Sequence, residues 1–293
     1  MIATIDGRPR ATQSAYTSAA SSTAIRIPIT SRPFSRRTLL SVMLPTSTSD
    51  QSDLSIAVAA VQAAFRAAEA ARADPLNPRA KGVSADLVTD ADAKAEAAAV
   101  DVLRTHRPAD AIVGEEGAND AGDTGRRWFI DGIDGTVAFA SRIATWCSAV
   151  ALEGEVAAVY DGEELYTAAR GAGAHAAGRR LQVRSGRTLA TAHVATFFRQ
   201  DRLVQPGVRA NARAILDACG LLRHAGPGTL ELAWVAAGRL DAWIQPATDP
   251  WDWLPGALLV TEAGGVARIV ERETRWHVAG ASAVVDELVA LLT

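Results

Sequence analysis

Apolar and polar positions recur at two periods along the chain. From Ser52 and Asp53 to about Ala73, alanines and larger apolar residues fall at the spacing of one helix face, with Ser52 or Asp53 placed to cap the start. Asp74-Pro75 and Asn77-Pro78 end that helix. Residues 81–89 read as an irregular or hairpin segment, after which Asp90-Ala91-Asp92 caps a second helix to about His106. The pattern then shortens to apolar runs of strand length at 111–114, 128–131, 146–152, 156–160 and 164–169. Gly171, Gly173 and Gly178 mark loops before Leu181-Gln182-Val183. Beyond Arg187, strands at 193–198, 241–245 and 266–270 mix with helices at 209–218, 230–237, 251–263 and 284–292. Gly264-Gly265 stops the third of those helices.

This irregular alternation predicts layered α/β (α+β) packing, a sandwich of helix and sheet layers rather than a barrel. Residues 51–187 are expected to form an N-terminal α+β lobe and 188–293 a C-terminal α/β lobe. Residues 1–50, rich in Ser, Thr, Arg and Ala with little periodicity, read as a disordered or non-native extension. Within them Ser35-Arg36-Arg37-Thr38-Leu39-Leu40 is similar to a twin-arginine export signal, but the apolar run that follows is short and broken by Pro45.

Composition narrows the class. Of 293 residues 48% are hydrophobic, enough for a substantial core, and no run reaches the roughly 18 uninterrupted apolar residues of a membrane span. A net charge of -3 gives no broad basic surface for nucleic acid. Cys147 and Cys219 are far apart and outside any paired motif, as expected of reduced thiols in a cytoplasmic protein.

The chemistry concentrates at Trp128-Phe129-Ile130-Asp131-Gly132-Ile133-Asp134-Gly135-Thr136, read as a buried strand that opens into a tight turn. Two carboxylates about 4 Å apart in a partly buried site repel by about 4 kcal/mol, so such a pair needs a cation between its members or water around both. Asp-x-x-Asp with glycines is also ordinary turn composition. Three other places put acids at the edge of regular structure: Asp92, with Asp86 and Asp90, opening a helix; Glu115 and Glu116 after a strand; and Asp252 at a helix start. Asp92 and Asp252 also suit helix caps, and Glu115-Glu116 a solvated loop. Layered α/β folds place ligand sites at such strand ends and helix starts. Every candidate ligand is oxygen and the five histidines are scattered, which argues against zinc and for Mg²⁺ held with a substrate phosphate. Gly135-Thr136 can open a helix whose free amides bind an anion, so the set points to phosphoryl chemistry.

Four segments together resemble the inositol monophosphatase family of Mg²⁺-dependent, lithium-sensitive phosphatases: Asp86-Leu87-Val88-Thr89-Asp90-Ala91-Asp92; Gly114-Glu115-Glu116; Asp131-Gly132-Ile133-Asp134-Gly135-Thr136; and Trp251-Asp252 with Thr261-Glu262-Ala263-Gly264-Gly265. The resemblance covers roughly residues 53–293. It implies that Glu115, Asp131, Asp134, Asp252 and the Ile133 carbonyl hold two metals, with Asp92 and Glu116 bearing on a third, weaker one or its water. Thr136 would help Glu115 and Asp92 prepare the attacking water. Gly135, Thr136, Gln245 and Asp252 would contact substrate, the first two through amides on the phosphate. Gln245 stands where inositol-specific members have a glutamate. Gly132 replaces the family's usual proline, which predicts a softer turn. Trp253, Leu254 and Pro255 replace small residues after Trp-Asp, with Pro255 expected in the first helical turn.

The reading is a cytoplasmic, Mg²⁺-dependent (two or three ions) phosphomonoesterase of a small phosphate ester, inositol monophosphate first and histidinol phosphate second. A sugar bisphosphate or a sulfur-assimilation nucleotide comes after these. The competing class is a non-catalytic member acting through protein contacts. The expected partners are the substrate and a second copy of the chain as a homodimer, with no nucleic acid and no membrane.

Overall fold

The computed structural model describes residues 52–73, 76–80 and 87–293. The expectations for residues 1–50, for Asp74-Pro75 and for 81–86, including Asp86, lie outside the described residues. In chain order the elements begin with α1 (Asp53–Ala71), β1 (Arg79–Ala80), β2 (Leu87–Val88), α2 (Asp90–His106), β3 (Ala111–Gly114), β4 (Asn119–Asp120), β5 (Arg127–Asp134) and α3 (Thr136–Ala140). They continue with β6 (Cys147–Leu152), β7 (Val156–Tyr160), β8 (Leu165–Ala169), β9 (Gly173–Ala176), β10 (Arg179–Arg180), β11 (His193–Thr196), α4 (Gln200–Leu203) and α5 (Pro206–Ala218). The last are β12 (Leu221–His224), α6 (Gly228–Ala236), β13 (Ala242–Pro246), α7 (Pro250–Glu262), β14 (Val266–Val270), β15 (Trp276–Gly280) and α8 (Ser282–Leu291).

Strands β3 to β10 form one sheet in the order β10-β9-β8-β7-β6-β5-β3-β4. A second sheet has the order β12-β11-β13-β15-β14. Alternation along each strand distributes side chains between the layers that cover the two faces. On β6, Val150 and Leu152 join the core under α1 and α2. Cys147 and Ala149 of the same strand join a second core, with α6, α7 and Trp243 of β13. Ile244, Trp276 and Val278 look outward from the second sheet into a third core with α5 and α8. The result is the predicted sandwich of alternating helix and sheet layers, with α6 and α7 between the sheets.

Helix α1 is long and apolar enough to cross a membrane. Its apolar stripe is spent otherwise: Ile56, Ala57, Ala60, Val61, Ala64 and Ala68 are fully buried against α2 and the large sheet. Ser52 caps it, its hydroxyl accepting from the Ser55 amide.

Several sequence expectations move. The cap of α2 is Thr89, one residue before the acidic run, in a capping box with Asp92. The loops expected around Gly171, Gly173 and Gly178 are interrupted by β9 and β10, and beyond them Leu181 and Val183 donate single backbone bonds to Ala174 and Ala263. Strands β12 and β15 lacked a legible pattern: Arg223 and His224 break the first, and His277 the second. Pro255 lies inside α7 rather than in its first turn, which leaves the Trp251 carbonyl without its usual helical donor. Gly256 explains why small residues matter there, because a Cβ at that position would come within 2.4 Å of Leu232 Cβ on α6.

Candidate active site

Strand β5 does not end at Asp131, as the hydrophobic run predicted, but continues through Asp134. Its pairing with β6 slips on the way: Asp131 faces Ala149, whereas Asp134 faces Cys147. Three steps on β5 therefore match two on β6, the signature of a bulge. Residues three apart on a regular strand point to opposite faces; the extra residue turns both carboxylates to the same side. The Ile133 amide donates to Asp131 Oδ1 at 2.9 Å, and Ser148 Oγ donates to the Gly132 carbonyl at 2.6 Å, fixing the bulge from both edges.

Gly132 is not a loosened turn. A Cβ there would lie 2.7 Å from the Glu96 amide nitrogen and 2.9 Å from Ala95 Cβ, so the bulge is packed directly on α2. The softer geometry expected from losing the family's proline is replaced by a close approach that only glycine permits without moving the helix.

The third acid comes from the far half of the chain. Asp252, in the first turn of α7, brings a carboxylate oxygen to the pair on β5; one oxygen from each of Asp131, Asp134 and Asp252 lies within 4.8 Å of the others. Asp131 is buried and Asp134 nearly so. Burial first, then the charges of Glu115, Asp134, Asp252 and Asp92, pushes Asp131 well above the usual carboxylate range. Burial, then Asp134, Glu115 and Asp249, does the same to Asp252. Burial raises Asp134 to about 6, against a hydrogen bond of 2.8 Å from the Thr229 amide that favours its charged form. A cluster of hard oxygen donors held at such cost fits a hard divalent cation, whose charge would reverse these shifts.

Glu115 follows β3, which runs parallel to β5 with Gly114 beside Ile130. That places it at the carboxyl end of the strand pair, its amide donating to the Ile130 carbonyl at 3.3 Å and its charge felt by Asp131 and Asp252. Asp92 faces a different partner. Its Oδ2 accepts from the Thr89 amide and hydroxyl at 2.7 and 2.6 Å, while Oδ1 accepts from Thr136 Oγ1 at 2.8 Å. Asp92 is therefore not the N-cap but the acid that completes the capping box of Thr89, one oxygen closing α2 and the other accepting from Thr136. Thr136 Oγ1 also lies 3.3 Å from the Ile133 carbonyl. Gly135 sits at φ 96° before α3, against Pro227 and the Thr145 carbonyl. Gln245 is half-buried on β13, and its Oε1 lies 3.8 Å from where a Gly228 Cβ would stand.

Two contributors escaped the sequence reading. Thr229, fully buried, ties α6 to Asp134 by its amide and to the Asp252 carbonyl by its hydroxyl at 3.0 Å. Its only sequence signal was the Gly226-Pro227-Gly228 break just before it. Glu96 is buried on α2, one turn after Asp92, and accepts from the Glu116 and Ala118 amides at 2.6 and 2.8 Å. An acid four residues after Asp92 shares its helix face, and that spacing was the clue. A surface groove of about 410 Å³, lined by Arg180, Gln182 and Glu262 among others, contains none of the clustered acids.

A model of the inositol monophosphatase family matches residues 49–289. The Nus factor SuhB of Escherichia coli (strain K12) is 37% identical over 201 residues, which are 66% of this chain and 75% of that protein. The inositol-1-monophosphatase of Rhizobium meliloti is 37% identical over 218 residues, 70% of this chain and 82% of that protein. The crystal structure of the extragenic suppressor protein suhB from Bartonella henselae superposes with a TM-score of 0.73 at 29% identity, covering 82% of this chain and 97% of that one.

Proposed function

Because the chain belongs to the inositol monophosphatase family, we propose that it is a cytoplasmic Mg²⁺-dependent phosphomonoesterase with inositol monophosphate as its leading substrate. The observation that carries this reading is the trio of carboxylate oxygens, from two distant stretches of chain, gathered within 4.8 Å. Asp131, Asp134, Asp252, Glu115 and the Ile133 carbonyl would hold the Mg²⁺ ions. When bound, Mg²⁺ supplies charge for the phosphate oxygens and acidifies water.

The chain's own groups do the rest. Thr136 gives its hydroxyl proton to Asp92 Oδ1, which leaves its oxygen lone pairs to accept from the attacking water and aim it. Glu115 would take up that water's proton. The Gly135 and Thr136 amides bind the phosphate, and Gln245 faces the leaving alcohol. Phosphoryl transfer asks mostly for such positioning and charge stabilisation.

The name Nus factor borne by relatives such as the Escherichia coli protein favours weighing a second reading, in which the chain acts through protein contacts without catalysis. Retention of every metal-ligand position supports the phosphatase. The deciding experiment is a phosphate-release screen over inositol phosphates, histidinol phosphate, fructose 1,6-bisphosphate and adenosine bisphosphate, with and without Mg²⁺. Mg²⁺-dependent release from inositol monophosphate, lost in a folded Asp134→Asn protein, is the expected result. Release that is absent from all substrates leaves the protein-contact reading; full activity in Asp134→Asn removes Asp134 from the metal site.

A further inference from the structure

Gln245 is surrounded by an arrangement that the catalytic reading does not use. Trp243 and Gln245 alternate along β13 and so share a face of the second sheet, the face covered by α6 and α7. His277 on β15 is the direct cross-strand partner of Gln245, so its side chain emerges on that face beside Gln245. Trp253, the residue after Asp252, covers all of this: its ring lies 6.0 Å from that of Trp243 and 5.0 Å from that of His277. Gly228 closes the layer, a Cβ there falling 3.2 Å from Trp243 Cζ2 and 3.8 Å from Gln245 Oε1.

Inside this closed layer three polar atoms are buried without a protein partner: Trp243 Nε1, Gln245 Oε1 and His277 Nδ1. Each such atom left unsatisfied costs as much as a lost hydrogen bond or more, and native proteins rarely leave three together. Their chemistry is complementary. The indole nitrogen only donates, the carboxamide oxygen only accepts, and a neutral imidazole nitrogen can accept. His277 is neutral at physiological pH, since burial and Arg275 hold it down at about 4. Buried waters typically make about three hydrogen bonds to polar atoms of this kind.

The geometry points to Trp243 and His277 as positioning residues for Gln245. One buried water accepts from Trp243 Nε1 and donates to Gln245 Oε1 and His277 Nδ1. This holds the carboxamide oxygen inward and offers the NH₂ group to the leaving alcohol. The residue that meets the substrate is then a fixed donor, suited to an alcohol that presents acceptor oxygens, whereas a family glutamate can only accept. This inference rests on the reading of Gln245 as a substrate contact.

The test has two arms on the full chain. In ¹⁵N NMR, the Gln245 side-chain amide resonances are expected to shift in His277→Leu and to return in His277→Asn, whose amide oxygen replaces Nδ1. The Trp243 indole proton is expected to exchange magnetisation with a long-lived water. Unchanged Gln245 resonances in His277→Leu, or no water contact at Trp243, overturn the positioning whether or not the protein is a phosphatase. In kinetics, losing the anchor is expected to raise KM for inositol 1-phosphate about three- to tenfold, the value of one neutral hydrogen bond. KM for phenyl phosphate and kcat stay within about twofold, and His277→Asn restores the wild-type values. A merely structural His277 would act through Trp253 on Asp252 and lower kcat for both esters alike, which overturns the proposal. If Gln245→Leu leaves the ratio of the two KM values unchanged, the donor role falls while the phosphatase reading stands. If the wild type hydrolyses neither ester, inositol phosphate falls as the leading substrate and the NMR arm still decides the positioning.

Discussion

Thr136 makes one hydrogen bond that matters more than its own burial, the 2.8 Å donation to Asp92 Oδ1. Removing the hydroxyl in Thr136→Ala leaves α3 and the carboxylate trio in place but frees the water it would aim. Turnover is expected to fall by the roughly 10²–10⁴-fold of a lost proton-handling group, with KM nearly unchanged. Steady-state kinetics on the folded variant check this; a change confined to KM would make Thr136 a substrate contact only. Gln245 is open to the complementary change. Gln245→Glu keeps an oxygen facing Trp243 and His277 and adds a charged acceptor for sugar hydroxyls. It is expected to raise kcat/KM for inositol monophosphate relative to phenyl phosphate by about 1–2 kcal/mol, through KM, because charged hydrogen bonds outweigh neutral ones by that much. Equal effects on both esters would remove residue 245 from the pocket.

At the scale of elements, the bulge in β5 and its seat on α2 act as one device. The helix carries Asp92 and Glu96 on the face that Gly132 touches, so the spacing between strand and helix sets the Asp92–Thr136 bond as well as the metal acids. Gly132→Ala adds an atom 2.7 Å from the Glu96 amide nitrogen. Overpacking of this kind costs about 1–3 kcal/mol, and turnover is expected to fall with it; a urea midpoint equal to wild type would show that α2 gives way freely. The elements also mark how far the sequence could be read. Apolar periodicity located α1 and α2 almost to the residue because each buries a stripe, and the uninterrupted apolar run of β7 located a strand buried on both faces. The motif acids were legible for the same reason that they are unusual, as charges at the ends of apolar runs. The bulge was not, because a register shift is a property of two paired strands and leaves no mark on one of them. Thr229 was hidden likewise: its contribution is a backbone amide, which any residue carries.

For the whole molecule, acid sensitivity follows from one buried side chain. His277 has its pKa depressed to about 4, from an ordinary 6.5, by burial first and Arg275 second. The unfolded chain then binds the proton that the folded one refuses, so stability is fully present above pH 6.5 and is lost as pH falls toward 4. Between pH 7 and 5 the wild type is expected to lose roughly 2 kcal/mol through this group, beyond any loss in His277→Asn. Urea midpoints of both proteins at the two pH values measure it, and parallel losses would mean that His277 titrates normally in the fold.

The junction of Asp134 with the Thr229 amide, and of both with Asp252, has a consequence for how the protein is made. Two of the acids are synthesised near the middle of the chain and the third close to its end. A nascent chain that has already built β5 and its sheet therefore carries an unfinished half-site. The acidic trio that could hold a metal ion is complete only when α6 and α7 have docked between the sheets. Under the proposed metal reading, ion capture would be completed only with this last docking, and a ribosome-stalled product ending before Pro250 is expected to fold its first sheet but to bind Mg²⁺ more weakly than the full chain.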